Sequence, residues 1–246
     1  MSSTQAPAPQ SQGSNNSGNN DKAIVKDYFN SAGFDRWRRI YGEGDDINKV
    51  QRDIRIGHQR TIDLVLYWFK VDQNLEGRTI CDAGCGVGSL SLPLAAQGAT
   101  VDASDISEKM VGEAIARAKD SGIGDNLKLE AKDLEAIEGS YDSVICLDVL
   151  IHYPDAEMEA MLTHLASRAK EQLILSFAPK NGFYTLLKRI GEFFPGPSKA
   201  TRAYLHREKD VIAILQKLGW EPKRNEFTAT QFYFSRLIEF VKTDAA

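Results

Sequence analysis

The stretch Asp82-Ala83-Gly84-Cys85-Gly86-Val87-Gly88 decides the fold of this chain. Thr79-Ile80-Cys81 before it reads as a short buried strand ending at Asp82. Residues 89–97 after it read as a helix capped by Ser89, with Pro93 tolerable near its first turn and Gly98 closing it. A glycine-rich turn between a strand and a helix lets a ligand approach the backbone, because no Cβ stands in the way. Outward from the turn the alternation continues. Strands are predicted at 100–104, 127–131, 141–148 and 172–178, with helices at 107–118, capped by Ser107, and at 156–169. Such alternation builds a parallel sheet with helices on both faces. A last helix at 207–218 ends at Gly219, and strands at 220–227 and 232–241 follow, joined closely enough to pair antiparallel. The fold class is α/β, with seven strands in a mostly parallel sheet.

The turn also discriminates between ligands. Its glycines stand at 84, 86 and 88, a G-x-G-x-G pattern rather than the G-x-G-x-x-G of nicotinamide and flavin folds. A carboxylate such as Asp82 is unwelcome beside a pyrophosphate. It suits a ligand without phosphate that carries a cationic sulfonium and an ammonium group, which favours S-adenosylmethionine over a nicotinamide dinucleotide. Asp105 ends the second strand, where a carboxylate can accept hydrogen bonds from both hydroxyls of a ribose. Asp133-Leu134 follows the third. Ligands of parallel sheets bind at the carboxyl ends of the strands, where all these candidates lie.

Composition narrows the class. The chain has 246 residues, 42% of them hydrophobic, enough for one sizeable domain. A net charge of −4 argues against a nucleic-acid binder that works by neutralising phosphates. No apolar run reaches the length of a membrane span. Residues 1–20 carry no charged side chain and are predicted to be a disordered tail. They resemble neither a secretory signal nor an organelle transit peptide, so a cytoplasmic, bacterial-type protein is expected. Cys81, Cys85 and Cys146 are odd in number and complete no zinc pattern, so reduced structural thiols and no metal site are expected.

The stretch 82–88, with Asp105-Ile106-Ser107 and Asp133-Leu134, resembles the class I S-adenosylmethionine-dependent methyltransferases. The resemblance implies a Rossmann-like seven-stranded sheet. It also implies that Asp82, Gly84 and Gly86 face the methionine moiety, Asp105 holds the ribose, and Asp133 and Leu134 meet the adenine. Cys85, Ile106, Ser107, Met110 and Leu147 complete the implied cofactor set. The flanks go further. Asp27-Tyr28-Phe29-Asn30, residues 33–42, Arg55-Ile56-Gly57-His58-Gln59, Leu147-Asp148-Val149-Leu150-Ile151-His152-Tyr153-Pro154 and Phe193-Phe194-Pro195-Gly196 are similar to the magnesium-protoporphyrin IX O-methyltransferases of chlorophyll biosynthesis. That resemblance implies methylation of one propionate of magnesium protoporphyrin IX in a cyanobacterium or other phototroph. It suggests the porphyrin-binding subunit of magnesium chelatase as a partner, while the aromatic stretch 183–194 reads as a cover for the macrocycle, a core helix, or a surface for a membrane or a partner protein. A monomer is expected. The segment after the fourth strand lacks the Asn/Asp-Pro-Pro-aromatic motif of amino-directed nucleic-acid methyltransferases. Phenol O-methylation of a quinone precursor and a non-catalytic porphyrin carrier are the alternatives.

A propionate is ionised at neutral pH and needs no base, so catalysis rests on alignment and exclusion of water. His152 and Tyr41 are the candidates to orient it. For His152 the bland reading is a capping or core histidine, and for Tyr41 a packing aromatic. Arg55 and His58 share a helical stripe with Gln51 and Ile62. Either could bind the cofactor's carboxylate or belong to a solvated stripe. Tyr28, Phe34, Trp37 and Arg38, with Phe183 and Phe194 beyond the fifth strand, are candidates to cover the macrocycle. Residues 21–70 therefore read as a helical arm and 181–204 as a lid inserted in a core that spans 71–246.

Overall fold

The computed structural model describes residues 16–42, 44–72, 75–180 and 204–243, with side chains from residue 22 onward. Helices α1 (Asn16–Asn30), α2 (Ala32–Ile40) and α3 (Lys49–Asp72) precede the sheet. Then come β1 (Thr79–Ala83), α4 (Ser91–Ala96), β2 (Thr100–Asp105), α5 (Glu108–Asp120), β3 (Leu127–Ala131) and β4 (Tyr141–Cys146). After them follow α6 (Asp155–Arg168), β5 (Ala169–Phe177), α7 (Glu208–Lys217), β6 (Trp220–Ala229) and β7 (Phe234–Lys242). Short 3-10 turns occupy Leu134–Ala136 and Leu150–His152.

The sheet runs β3-β2-β1-β4-β5-β7-β6. The first five strands are parallel, and β7 is antiparallel to both β5 and β6. The chain leaves β1 toward β2 on one side and returns to β4 on the other. That reversal opens a crevice above the carboxyl ends of β1, β2 and β4.

Two hydrophobic layers hold the sheet. On one face Ile62, Val65 and Phe69 of α3 and Leu94 of α4 meet Ile80, Val101, Ile145 and Leu237. On the other, Met158, Leu162 and Leu165 of α6 and Leu215 of α7 meet Val144, Leu173, Leu175 and Phe240. Each such large apolar side chain contributes about 1.5–3 kcal/mol by leaving water. The central strands are buried on both sides, hence their runs of Val, Ile, Leu and Cys rather than an alternation. At the edge, β6 exposes Glu221, Lys223 and Glu226, charged residues that discourage pairing with another chain. Among the described residues no helix is long and apolar enough to cross a membrane.

The boundaries differ from expectation in places with clear causes. Helix α1 starts at Asn16, inside the stretch whose composition predicts a tail; residues 1–15 lie outside the described residues. Helix α4 is shorter than predicted, with Leu90 rather than Ser89 at its N-cap. Ser107 does cap α5, its Oγ accepting the Met110 N–H. Helix α3 opens with a reciprocal cap: the Gln51 N–H donates to Asn48 Oδ1 and the Asn48 N–H to Gln51 Oε1. Strand β4 stops at Cys146 because Asp148 takes φ +58.

Candidate active site

The turn after β1 is stitched to β2. The N–H groups of Gly84 and Cys85 both donate to the Ser104 carbonyl, at 2.7 and 2.9 Å. Gly84 has φ +87, and a Cβ there would stand 2.1 Å from Val149 Cγ2. Gly86 has φ +54, and a Cβ there would meet nothing within 4 Å, so the backbone faces open space. The Gly86 N–H donates to Asp105 Oδ2 at 3.0 Å, and the Ser107 N–H to Oδ1 at 2.9 Å. A carboxylate has about four lone-pair sites, so two remain for a ligand's hydroxyls. Burial pushes the Asp105 carboxyl up, partly offset by these two donors.

Above the turn lies a pocket with about 870 Å³ of empty space, its open mouth included. Gly84, Cys85, Gly86, Asp105, Ile106, Met110, Asp133, Leu134, Leu147 and His58 line it, all from the expected cofactor set. The open backbone at Gly86 and the spare acceptor capacity of Asp105 fit a ribose-bearing ligand. Burial raises the Cys85 thiol well above its usual range, so it contributes shape rather than reactivity.

Three members of that set lie elsewhere. Asp82 does not face the pocket. It is buried under the turn, where its carboxylate accepts a hydrogen bond from Ser91 Oγ and burial pushes it up to about 6. Ser107 is buried at the α5 cap and donates to Asn30 Oδ1 at 2.9 Å, which docks the end of α1. Arg55 donates to the carbonyls of Ile40 (2.9 Å), Arg39 (2.6 Å) and Gly44 (2.9 Å). These carbonyls lie at and just beyond the end of α2, where backbone acceptors lack helical partners, although that of Arg39 also accepts the Gly42 N–H; the guanidinium clamps the arm.

Lys22, Val25 and Phe29 of α1 also line the pocket, with Tyr41, Val149, His152 and Tyr153. His152 ends the 3-10 turn after β4, edge-on to Phe29 with ring centroids 5.8 Å apart. Its Nδ1 is buried and has no partner among the described residues. Burial lowers its pKa to about 4, against the opposing charge of Asp148, so the ring is neutral at pH 7. The Tyr41 ring lies between Trp37 (5.3 Å) and His58 (4.5 Å). Burial and then the Asp148 charge push its phenol above the usual range, so it stays a proton donor.

The remaining porphyrin candidates do not line the pocket. Tyr28 is buried, receives a hydrogen bond from Trp37 Nε1 at 3.3 Å and lies against Gly33. Phe34 lies under the cations of Arg38 and Lys109, and exposed Arg38 stands 3.9 Å from Asp35. Trp37 supports Tyr41 and Phe29 from behind. Phe183 and Phe194 lie outside the described residues.

Asp148 is the main residue the sequence reading missed. Its Oδ2 accepts from His58 Nδ1 (3.0 Å) and Tyr233 Oη (2.7 Å), and its Oδ1 from Ser176 Oγ (2.8 Å) and Ser235 Oγ (3.2 Å). Burial alone would raise this carboxyl, yet its hydrogen bonds and the His58 interaction hold it below the usual carboxylate range. Its place directly after Leu147 was visible; its partners were not. Among the described residues no group of three His, Cys, Asp or Glu is placed to hold a metal ion.

This strand order, with the glycine turn over β1 and a carboxylate ending β2, defines the class: an S-adenosylmethionine-dependent methyltransferase. A general methyltransferase-domain model matches residues 80–172. The model for the C-terminus of magnesium-protoporphyrin IX methyltransferase matches residues 146–242. The chain is 58% identical over 224 residues to the magnesium-protoporphyrin O-methyltransferase of Synechocystis, covering 91% of this chain and 97% of that one. It is 57% identical over 225 residues to the chloroplastic magnesium protoporphyrin IX methyltransferase of Arabidopsis thaliana, covering 91% of this chain and 72% of that one. The crystal structure of the Synechocystis magnesium protoporphyrin IX methyltransferase with bound SAH superposes with a TM-score of 0.84 at 56% identity, covering 91% of this chain and all (100%) of that one. The chain belongs to the magnesium-protoporphyrin O-methyltransferase family.

Proposed function

We propose that this protein transfers a methyl group from S-adenosylmethionine to a propionate carboxylate of magnesium protoporphyrin IX, giving the monomethyl ester and S-adenosylhomocysteine, in chlorophyll biosynthesis. The observation that carries the acceptor side is that a neutral imidazole with an unpartnered buried Nδ1 and a protonated phenol line the same pocket as Gly86. S-adenosylmethionine supplies an electrophilic methyl on a cationic sulfur, and its S–C bond breaks as the carboxylate oxygen forms the O–C bond. No proton moves. The donor is a cation and the acceptor an anion, so charge is lost in the reaction and a dry site favours it.

His152 and Tyr41 suit this chemistry because both are neutral hydrogen-bond donors. They orient a carboxylate without neutralising the charge that makes it a nucleophile. Phe29, Val149 and Leu147 exclude water around them, and Asp105 with the Gly86 backbone holds the donor's ribose side. His58 also lines the pocket, but its Nδ1–H goes to Asp148 and Arg55 donates to carbonyls around the end of α2, so neither is assigned to the donor's carboxylate. A magnesium chelatase subunit as partner is supported by the family resemblance of the flanks, and peripheral membrane contact by the aromatic composition of the stretch 183–194; a monomer is expected.

Incubating the protein with labelled S-adenosylmethionine and magnesium protoporphyrin tests the reading. The expected product is a methyl ester that mild alkali hydrolyses. An alkali-stable ether, or no transfer at all, would overturn it.

A further inference from the structure

Asp148 occupies a backbone conformation that side chains avoid, and among the described residues it is the only non-glycine with positive φ, at +58°. Such a conformation persists where the surroundings over-determine it. Here they do. His58 comes from α3, Ser176 from β5, Ser235 from β7 and Tyr233 from the connection between β6 and β7, and all four donate to one carboxylate. The Asp148 N–H also donates back to Ser176 Oγ at 2.8 Å.

The connection itself is built for this reach. Asp53 of α3 accepts from Thr230 Oγ1 and from the Phe232 N–H, both at 2.6 Å, which fixes the turn of the hairpin. The Tyr233 ring lies directly on α3 at Gly57, where a Cβ would come within 2.3 Å of it. A glycine at that helix position is what lets the ring lie flat and aim its hydroxyl at Asp148, with Thr61 Oγ1 3.0 Å away as the second partner.

An ionised carboxylate only accepts hydrogen bonds, so His58 meets Asp148 with Nδ1–H, and its tautomer and ring plane follow. The same ring packs against Tyr41 in a tilted arrangement, centroids 4.5 Å apart and planes at 41°. Trp37 packs on Tyr41 likewise tilted, and Arg117 Nη1 donates to the Tyr41 carbonyl at 3.0 Å. The phenol is thereby left with little freedom except what His58 allows.

We infer that Asp148 is a positioning residue for methyl transfer, acting through His58 to set the Tyr41 ring, and that the C-terminal hairpin supports it through Tyr233. This rests on the acceptor-orienting role of Tyr41 proposed above. It assigns a task to the β6–β7 connection, which lies far from the cofactor turn in sequence and contributes nothing to the pocket wall itself.

The test is a cycle of variants measured for kcat with magnesium protoporphyrin and, by calorimetry, for S-adenosylhomocysteine affinity. Asp148→Asn keeps the size of the side chain, and Asn tolerates positive φ. Turnover is expected to fall about tenfold, the size of one lost hydrogen bond to a charged group, with Kd for S-adenosylhomocysteine within about twofold of the parent. Tyr233→Phe should give the same pattern more weakly, about threefold. In a Tyr41→Phe background neither change should lower kcat further, because residues that act through one another are not additive. If the effects multiply instead, or if kcat stays at the parent value in both single variants, the relay is wrong while the reading of Tyr41 stands. If Tyr41→Phe alone leaves kcat unchanged, that reading fails and the relay with it. Should Asp148→Asn not fold, the Tyr233→Phe and Tyr41→Phe cycle decides on its own.

Discussion

Replacing His152 with Phe separates catalysis from folding, because the structure predicts opposite signs for the two. The imidazole Nδ1 is buried without a partner among the described residues. Leaving such a group dry costs about 1–3 kcal/mol, and an apolar ring of similar shape removes that cost. The variant should therefore be more stable at pH 7, by roughly 1 kcal/mol after allowing for the larger ring. The gain should grow in acid. Burial holds the His152 pKa at about 4, below the ordinary 6.5. The unfolded chain binds its proton first, so the parent loses stability as the pH falls from 6.5 toward 4. The full effect is at most about 3 kcal/mol, reduced because part of the ring touches solvent. His152→Phe abolishes this slope.

Turnover should move the other way. A hydrogen bond to a carboxylate is worth about 1.5–3 kcal/mol, which converts to a fall of roughly tenfold to a hundredfold in kcat. Affinity for S-adenosylhomocysteine should change by less than about threefold, because Gly86 and Asp105 hold that side of the pocket. Thermal melts at pH 5 and pH 7.5, steady-state kinetics with saturating S-adenosylmethionine, and calorimetry are sufficient. If stability and turnover fall together, His152 is a packing residue. Unchanged turnover would sink its orienting role outright.

Two further outcomes follow from the corrected residues. Asp82 is pushed up to about 6 from 3.8, so ionising it in the folded state weakens the fold as pH rises between those values. Asp82→Asn should raise Tm relative to the parent at pH 7.5 and have little effect at pH 3.5, in melts compared across that range. Arg55→Met should cost about 1–3 kcal/mol by taking the donor from the buried Ile40 carbonyl, read from urea midpoints, while S-adenosylhomocysteine Kd stays near the parent value. A tenfold loss of that affinity would return Arg55 to the cofactor.

What was legible in the sequence was local. Asp105, Ile106, Asp133, Leu134 and Leu147 all follow strand ends, and a parallel sheet brings every such end to one edge, so naming the strands placed the residues. Asp82 failed for a related reason. It belongs to β1 itself, where side chains alternate between faces, and its own points to Ser91 at the start of α4. The helical stripe of Gln51, Arg55, His58 and Ile62 was a correct face of α3, but periodicity says nothing of what covers a face. The end of α2 covers Arg55, and the pocket meets His58. In the run 34–38, spacing alone did not show that Trp37 would turn inward to Tyr41 while Phe34 and Arg38 stayed outside.

The Asp148 cluster was illegible for a deeper reason. Its members at 58, 148, 176, 233 and 235 come from five separate stretches of the chain, and only the antiparallel return of β7 beside β5 brings the last two to the site. The C-terminal strands thus do more than widen the sheet. The cofactor side of the pocket is built from β1 to β4 and their turns, a unit that can bind the donor in many enzymes. The acceptor side needs groups held still without carrying opposing charge into the reaction. A carboxylate placed behind His58 and Tyr41 meets that need. Its charge is taken up by four donors rather than by the substrate, and it adds to burial in keeping the phenol protonated. A cation such as Arg55 at the same wall would pair with the propionate and blunt it. Arg55 is diverted to carbonyls around the end of α2, and Lys22, which does line the pocket, is paired with Glu135, so the nucleophile is left to neutral donors.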